Sequence, residues 1–104
     1  MGAPWGTEEE IERRNRILLS VASWAYEMHD DAIMSDARFD ALCLTIRPDV
    51  RTGNRKLDNF FRKHFDPSTG QWVHKHPDKR GLERAYRRLA AGRRGKDSEN
   101  GDGR

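Results

Sequence analysis

Apolar residues in the first third of the chain recur at helical spacing. Ile11, Leu18, Val21, Ala22, Ala25 and Met28 stand three, four or seven apart, with Trp24 and Tyr26 flanking the stripe. Thr7 ahead of Glu8, Glu9 and Glu10 has the form of a reciprocal capping box, and the acids suit the positive end of a helix dipole. The pattern predicts a helix from there to Met28 or His29. After the acidic bend DDAIM, Ser35 is a good N-cap, and Phe39, Leu42, Cys43 and Ile46 form a second stripe, so a helix is predicted over 36–46 and stopped by Pro48. DVRTGN reads as a loop. Asn54 caps a third helix carrying Leu57, Phe60, Phe61, His64 and Phe65. In DPSTGQWVHKHP, turn-forming residues precede a short extended QWVHKH, which predicts an irregular connection or a short hairpin near 66–76. Pro77 suits the first turn of a fourth helix with Leu82, Ala85, Tyr86 and Leu89 on one face and Gly92 at its end. The stretch 93–104, RRGKDSENGDGR, has no apolar anchor and predicts a disordered tail. The expected fold is mainly α: a compact bundle of about four helices forming one domain over 7–92, after a flexible N-terminus at 1–6.

Composition narrows the classes. With 104 residues, 35% apolar and 36% charged, the core can only be modest. The single cysteine, Cys43, has no disulfide partner and no Cys-x-x-Cys pair occurs, so a reducing compartment is expected. The opening MGAPWGTEEE lacks the basic region and apolar core of an export signal. The stretch ILLSVASWAY falls well short of the roughly 20 apolar residues that cross a bilayer. A cytoplasmic protein, with no membrane partner, is the expectation.

Charge divides the chain. Residues 1–46 carry 4 basic and 9 acidic groups, whereas 47–94 carry 14 basic and 5 acidic. A basic half of this kind suits a polyanion. Arg62, Lys63, Lys75, Arg80, Arg84, Arg87 and Arg88 are the candidate phosphate contacts, with Trp72 to stack on an unpaired base. The competing reading is a solvated face around a phenylalanine core.

The segment YEMHDDAIMSDARFDAL, residues 26–42, holds the sharper chemical pattern. On a helix Asp36, Phe39 and Asp40 face the same way, and Tyr26 comes near them if the first helix packs back across the bend. A flat cationic ring could stack on the aromatics with a carboxylate balancing its charge, which describes nicotinamide. Equally, Asp36 could serve only the helix dipole, Phe39 the core, and Asp40 an ion pair with Arg38 or Arg47.

These residues resemble the N-terminal helical subdomain, domain Ia, of bacterial NAD-dependent DNA ligases, where a tyrosine, an acidic bend and an S/P-D-x-x-Y-D-x-L segment follow in this order. Here they are Tyr26, Asp30 and Ser35-Asp36-Ala37-Arg38-Phe39-Asp40-Ala41-Leu42. The resemblance covers roughly residues 10–46. It implies that Tyr26, Asp36, Phe39 and Asp40 contact the nicotinamide mononucleotide (NMN) half of NAD. Glu27 stands where the family usually has a histidine, and Phe39 replaces a tyrosine, keeping the ring but losing a hydroxyl. No Lys-x-Asp-Gly nucleotidyl-transfer motif occurs. The layout with LDxFFRxxF and WxHxHP is similar to stand-alone phage proteins related to this ligase.

Other constellations are weaker. His74 and His76 would share one side of an extended strand, but two ligands do not make a metal site. His64 with Asp66, or His29 beside Asp30, could suggest acid–base work, yet no nucleophile accompanies them, and no Gly-x-x-x-x-Gly-Lys loop is present. With the resemblance, the residues lead to the expectation of a non-catalytic accessory module related to domain Ia, phage-encoded in a bacterial host cell and acting near DNA. It requires no cofactor, with weak NMN or NAD binding expected, and DNA, a ligase adenylation domain or another host protein are its expected partners. The alternatives are a non-specific nucleic-acid-binding protein on a reused scaffold and a host-directed inhibitor acting by protein contact.

Overall fold

The computed structural model describes the backbone of residues 7–102 and the side chains of residues 7–92. Four α-helices follow one another: α1 (Glu8–His29), α2 (Asp36–Thr45), α3 (Arg55–His64) and α4 (Lys79–Asp102), with a 3-10 helix at Gln71–Lys75 between the last two. No strand occurs among the described residues.

Local chemistry sets the starts of α1, α2 and α3 where the sequence places them. Thr7 and Glu10 form the capping box, the Glu10 N–H donating to Thr7 Oγ1 at 3.2 Å and the Thr7 N–H to Glu10 Oε1 at 2.8 Å. At the other end Asp30 takes the left-handed conformation, φ 52°, and the N–H groups of Asp30 and Asp31 both reach the carbonyl of Ala25. Ser35 caps α2 through the Arg38 N–H, and Asn54 caps α3 through the Leu57 N–H, each at 3.1 Å. Asp78 caps α4: its Oδ1 accepts from the Gly81 N–H at 3.0 Å.

Packing is organised around α1, which touches α2, α4 and the 3-10 helix. Leu19, Val21, Trp24 and Ala25 of α1 are buried with Cys43, Ile46, Phe60, Phe61, Trp72, Val73 and Leu82. Phe60, Phe61, Phe65 and Trp72 form an aromatic cluster with ring centroids 5.3–6.0 Å apart, mostly edge-on or tilted, as their quadrupoles favour. Cys43 is buried on α2, and burial pushes its thiol pKa up, with the charges of Asp40 and Asp66 adding to the effect.

One polar cluster lies inside. Arg16, only 4% exposed, donates to Glu12 at 2.7 Å, Asp58 at 2.8 Å and the carbonyls of Arg47 and Val50 at 2.8 and 2.9 Å. Its guanidinium also sits 5.1 Å from the Phe61 ring centroid. Asp58 takes the Thr52 N–H and hydroxyl as well. Burial works against its charge, but the Thr52 hydrogen bonds and Arg16 outweigh burial and hold its pKa below the usual value. The 47–54 loop is thereby tied to α1 and α3.

The structure departs from the sequence expectations at four places. Of the two forms expected for 66–76 the hairpin fails and the irregular connection holds: the segment is a turn and a 3-10 helix, because Trp72 and Val73 both enter the core, which an alternating strand does not allow. Pro77 precedes α4 instead of opening it, since the Asp78 cap comes after it. α4 does not stop at Gly92: glycine costs a helix about 1 kcal/mol, and the Ala, Arg and Lys around it are strong helix formers. Over 93–102, expected as a disordered tail, the backbone is described as part of α4, while residues 103–104 and the expected flexible N-terminus at 1–6 lie outside the described residues. Met28, placed on the α1 stripe, is 49% exposed, because the helix end projects past the core.

Candidate functional site

Tyr26, Asp36, Phe39 and Asp40 line one depression of about 460 Å³. α1 supplies Ser23, Tyr26 and Glu27, the bend supplies Ile33, α2 supplies the other three, and Gly70 closes the far side. The geometry follows from the short 30–35 link, which folds α2 back against α1 so that the end of one helix meets the start of the other. Phe39 is half-buried against the core and Tyr26 is exposed. Neither ring stacks on another aromatic ring among the described residues.

The carboxylates differ in their engagement. Glu27 Oε1 accepts from His74 Nε2 at 2.8 Å. Asp36 and Asp40 are exposed and neither makes a hydrogen bond or ion pair with a described residue. Asp40 therefore pairs with neither Arg38 nor Arg47; Arg47 is bonded to Glu8 instead. No lysine or arginine lines the depression, so its field is negative. Ser23 adds a buried hydroxyl with no hydrogen-bond partner. A mid-helix serine ordinarily donates to the carbonyl one turn back, and an unsatisfied buried hydroxyl costs about 1–3 kcal/mol. Nothing in the spacing of the sequence marks Ser23, which is polar in a run of small apolar residues.

The basic residues are scattered over two supports. Arg62 and Lys63 lie on α3, Lys75 on the 3-10 helix, and Arg80, Arg84, Arg87 and Arg88 on α4, all exposed. α4 packs on α1, while α3 packs on the 3-10 helix. Arg87 is held by Glu83 at 2.6 Å, and Arg62 is bonded to Asn59. Arg51, Arg55 and Arg62 line a polar depression of about 430 Å³ along α3. Trp72 is a correction: it is 4% exposed inside the aromatic cluster and cannot stack on a base.

The histidines are committed elsewhere. His74 is exposed and bonded to Glu27, whereas His76 is buried, its Nδ1 accepting from the Asp78 N–H at 3.0 Å. The 3-10 winding sends the two rings to different partners, so they do not converge. Burial pushes the His76 pKa down to about 4, against the pull of Asp78. His29 stacks on Tyr86 at 4.2 Å and meets Glu83 at 2.7 Å, joining α1 to α4. Glu83 also takes the Trp24 indole N–H and Arg87; with His29 the largest contributor, these bonds hold its pKa down to about 2. Asp66 closes a local turn onto Ser68 rather than pairing with His64. No cluster of three metal-ligating side chains occurs among the described residues. No helix there is long and apolar enough to cross a membrane.

Comparison of the chain with family models, with curated proteins and with solved structures finds no match in any of the three.

Proposed function

We propose that this chain is a non-catalytic binding module that takes the nicotinamide end of NMN or NAD in the depression between α1 and α2, as the resemblance to ligase domain Ia implies. The observation that carries this reading is the convergence of Tyr26, Asp36, Phe39 and Asp40 on one concave surface with both aspartates unpaired. Two aromatic rings beside two free carboxylates form a receptor for a planar cation. The oxidised nicotinamide ring is one. With no basic side chain in the wall, the phosphate stays in solvent, and binding is weak and driven by the ring.

A proton–nitrogen NMR titration of the labelled chain tests this. Oxidised NMN should shift Tyr26, Phe39 and the start of α2, and the reduced form, whose ring is neutral, should shift them far less. Equal responses to both forms would sink the cation-receptor reading.

The second reading, contact with nucleic acid, draws on the exposed Arg62, Lys63, Lys75, Arg80, Arg84, Arg87 and Arg88, and on the arginine-lined depression of α3. In this reading the module is phage-encoded and holds DNA, or an acidic face of a ligase, through phosphate- or carboxylate-type contacts without base choice. Affinity for a short duplex should then fall steeply with salt. Arg84→Ala with Arg87→Ala and Arg88→Ala should lower it while leaving the NMN response intact.

A further inference from the structure

A second depression, of about 540 Å³, lies between α1, the 52–54 loop, the start of α3 and α4, and shares no residue with the first. Its wall is apolar, made by Ile17, Val21, Leu57, Phe61, Leu82 and Ala85. Ile17 is 52% exposed, so the space opens to solvent. A concave apolar surface of this size with a few polar groups is the usual form of a small-molecule site.

Ser20 is the polar group without a role. It lines this depression, is 2% exposed, and its Oγ has no hydrogen-bond partner. The other polar side chains in the wall are engaged. Arg16 is held by Glu12, Asp58 and two carbonyls, Arg13 donates to the Thr52 carbonyl, and Asp78 caps α4. His76 accepts at Nδ1 from the Asp78 N–H, which leaves the proton of the neutral ring on Nε2. Arg16 is ion-paired to Glu12 and Asp58, and Arg13 and Asp78 are bonded to backbone groups, so the Ser20 hydroxyl is the wall's buried polar atom left to meet a ligand.

We propose that this depression binds a neutral, flat or short-chain apolar molecule carrying one hydroxyl or carbonyl group, whose polar atom pairs with the Ser20 hydroxyl. The aliphatic and aromatic wall takes the hydrocarbon body, and the single hydrogen bond fixes its orientation. The site shares no lining residue with the proposed nicotinamide site.

The test uses para-cresol and toluene, which differ by one hydroxyl, titrated into the full chain labelled at its methyl groups and at its backbone amide nitrogens. Para-cresol should shift the methyls of Ile17, Val21, Leu57 and Leu82, leave the resonances of Asp36 and Asp40 in place, and bind at least fivefold more tightly than toluene. Ser20→Ala removes only a hydroxyl that has no partner, so the variant should fold. It should bring the two affinities to within about twofold. Ala85→Phe should block both ligands; a thermal melt checks that it folds, and if it does not, Ala85→Leu takes its place. Absence of methyl shifts at millimolar para-cresol overturns the site. A preference for para-cresol that survives in Ser20→Ala overturns the role of Ser20. Silence of the α1–α2 depression toward NMN bears on the other reading alone.

Discussion

The two depressions beside α1 are built in opposite ways. Most of the first comes from residues 22–40, where two helices and one short bend bring a few neighbouring side chains into a hollow that holds two exposed, unpaired carboxylates. The second gathers residues from 13 to 85 across five segments, over a wall whose charged side chains are bonded to other parts of the protein. A local hollow can change its chemistry without disturbing the core. A long-range one is part of the core's own bonding, and its contents and the stability of the fold move together.

The largest effect is expected where the second depression meets the buried cluster. Arg16→Met leaves Glu12 and Asp58 buried without a cation, and should cost about 3–5 kcal/mol in urea unfolding, a large share of the stability of so small a domain. A loss below 1 kcal/mol would mean that the cluster does not hold the 47–54 loop.

Acid should act next. The unfolded chain protonates His76 near its ordinary 6.5, whereas the folded chain does so only near about 4. Over that interval the unfolded state binds more protons, so stability falls as pH drops from about 6.5 to about 4, by about 3 kcal/mol. Asp58, whose folded pKa is depressed, withdraws its own contribution as pH falls below its ordinary value of 3.8. His76→Gln should flatten the upper part of this profile in pH-dependent unfolding.

Asp36→Ala with Asp40→Ala should weaken NMN at least tenfold, or about 1.4 kcal/mol, with the unfolding midpoint almost unchanged. If these substitutions destabilise the fold as strongly as they weaken binding, the contrast between the local and the long-range hollow fails. At Gly81 an added Cβ would run into the Asp78 carboxylate, so Gly81→Ala should displace the α4 cap at a cost of about 1 kcal/mol, read from thermal melts. The smallest effect belongs to Ser23→Ala. Removing an unpartnered hydroxyl should leave stability unchanged or raise it by less than about 1 kcal/mol.

Those magnitudes parallel what could be read from residue order. Thr7, Ser35 and Asn54 announce the helix starts because a cap acts on amides only two or three residues away. The grouping of Asp36, Phe39 and Asp40 with Tyr26 is equally local. The Arg16 cluster is hidden, since Asp58 stands 42 residues from Arg16 and a polar residue on a helix face looks solvated until its partners are placed. Ser20 is hidden for the same reason. Trp72 misleads because a tryptophan beside histidines and lysines looks exposed, while the 3-10 winding turns it inward.

Cys43 gives the molecule a built-in clock. Its thiol is 1% exposed and held in the protonated form, so a thiol-specific reagent must wait for the fold to open before it can react. The rate at which Cys43 becomes labelled therefore reports how often the helices part, in the untouched chain and without an added dye.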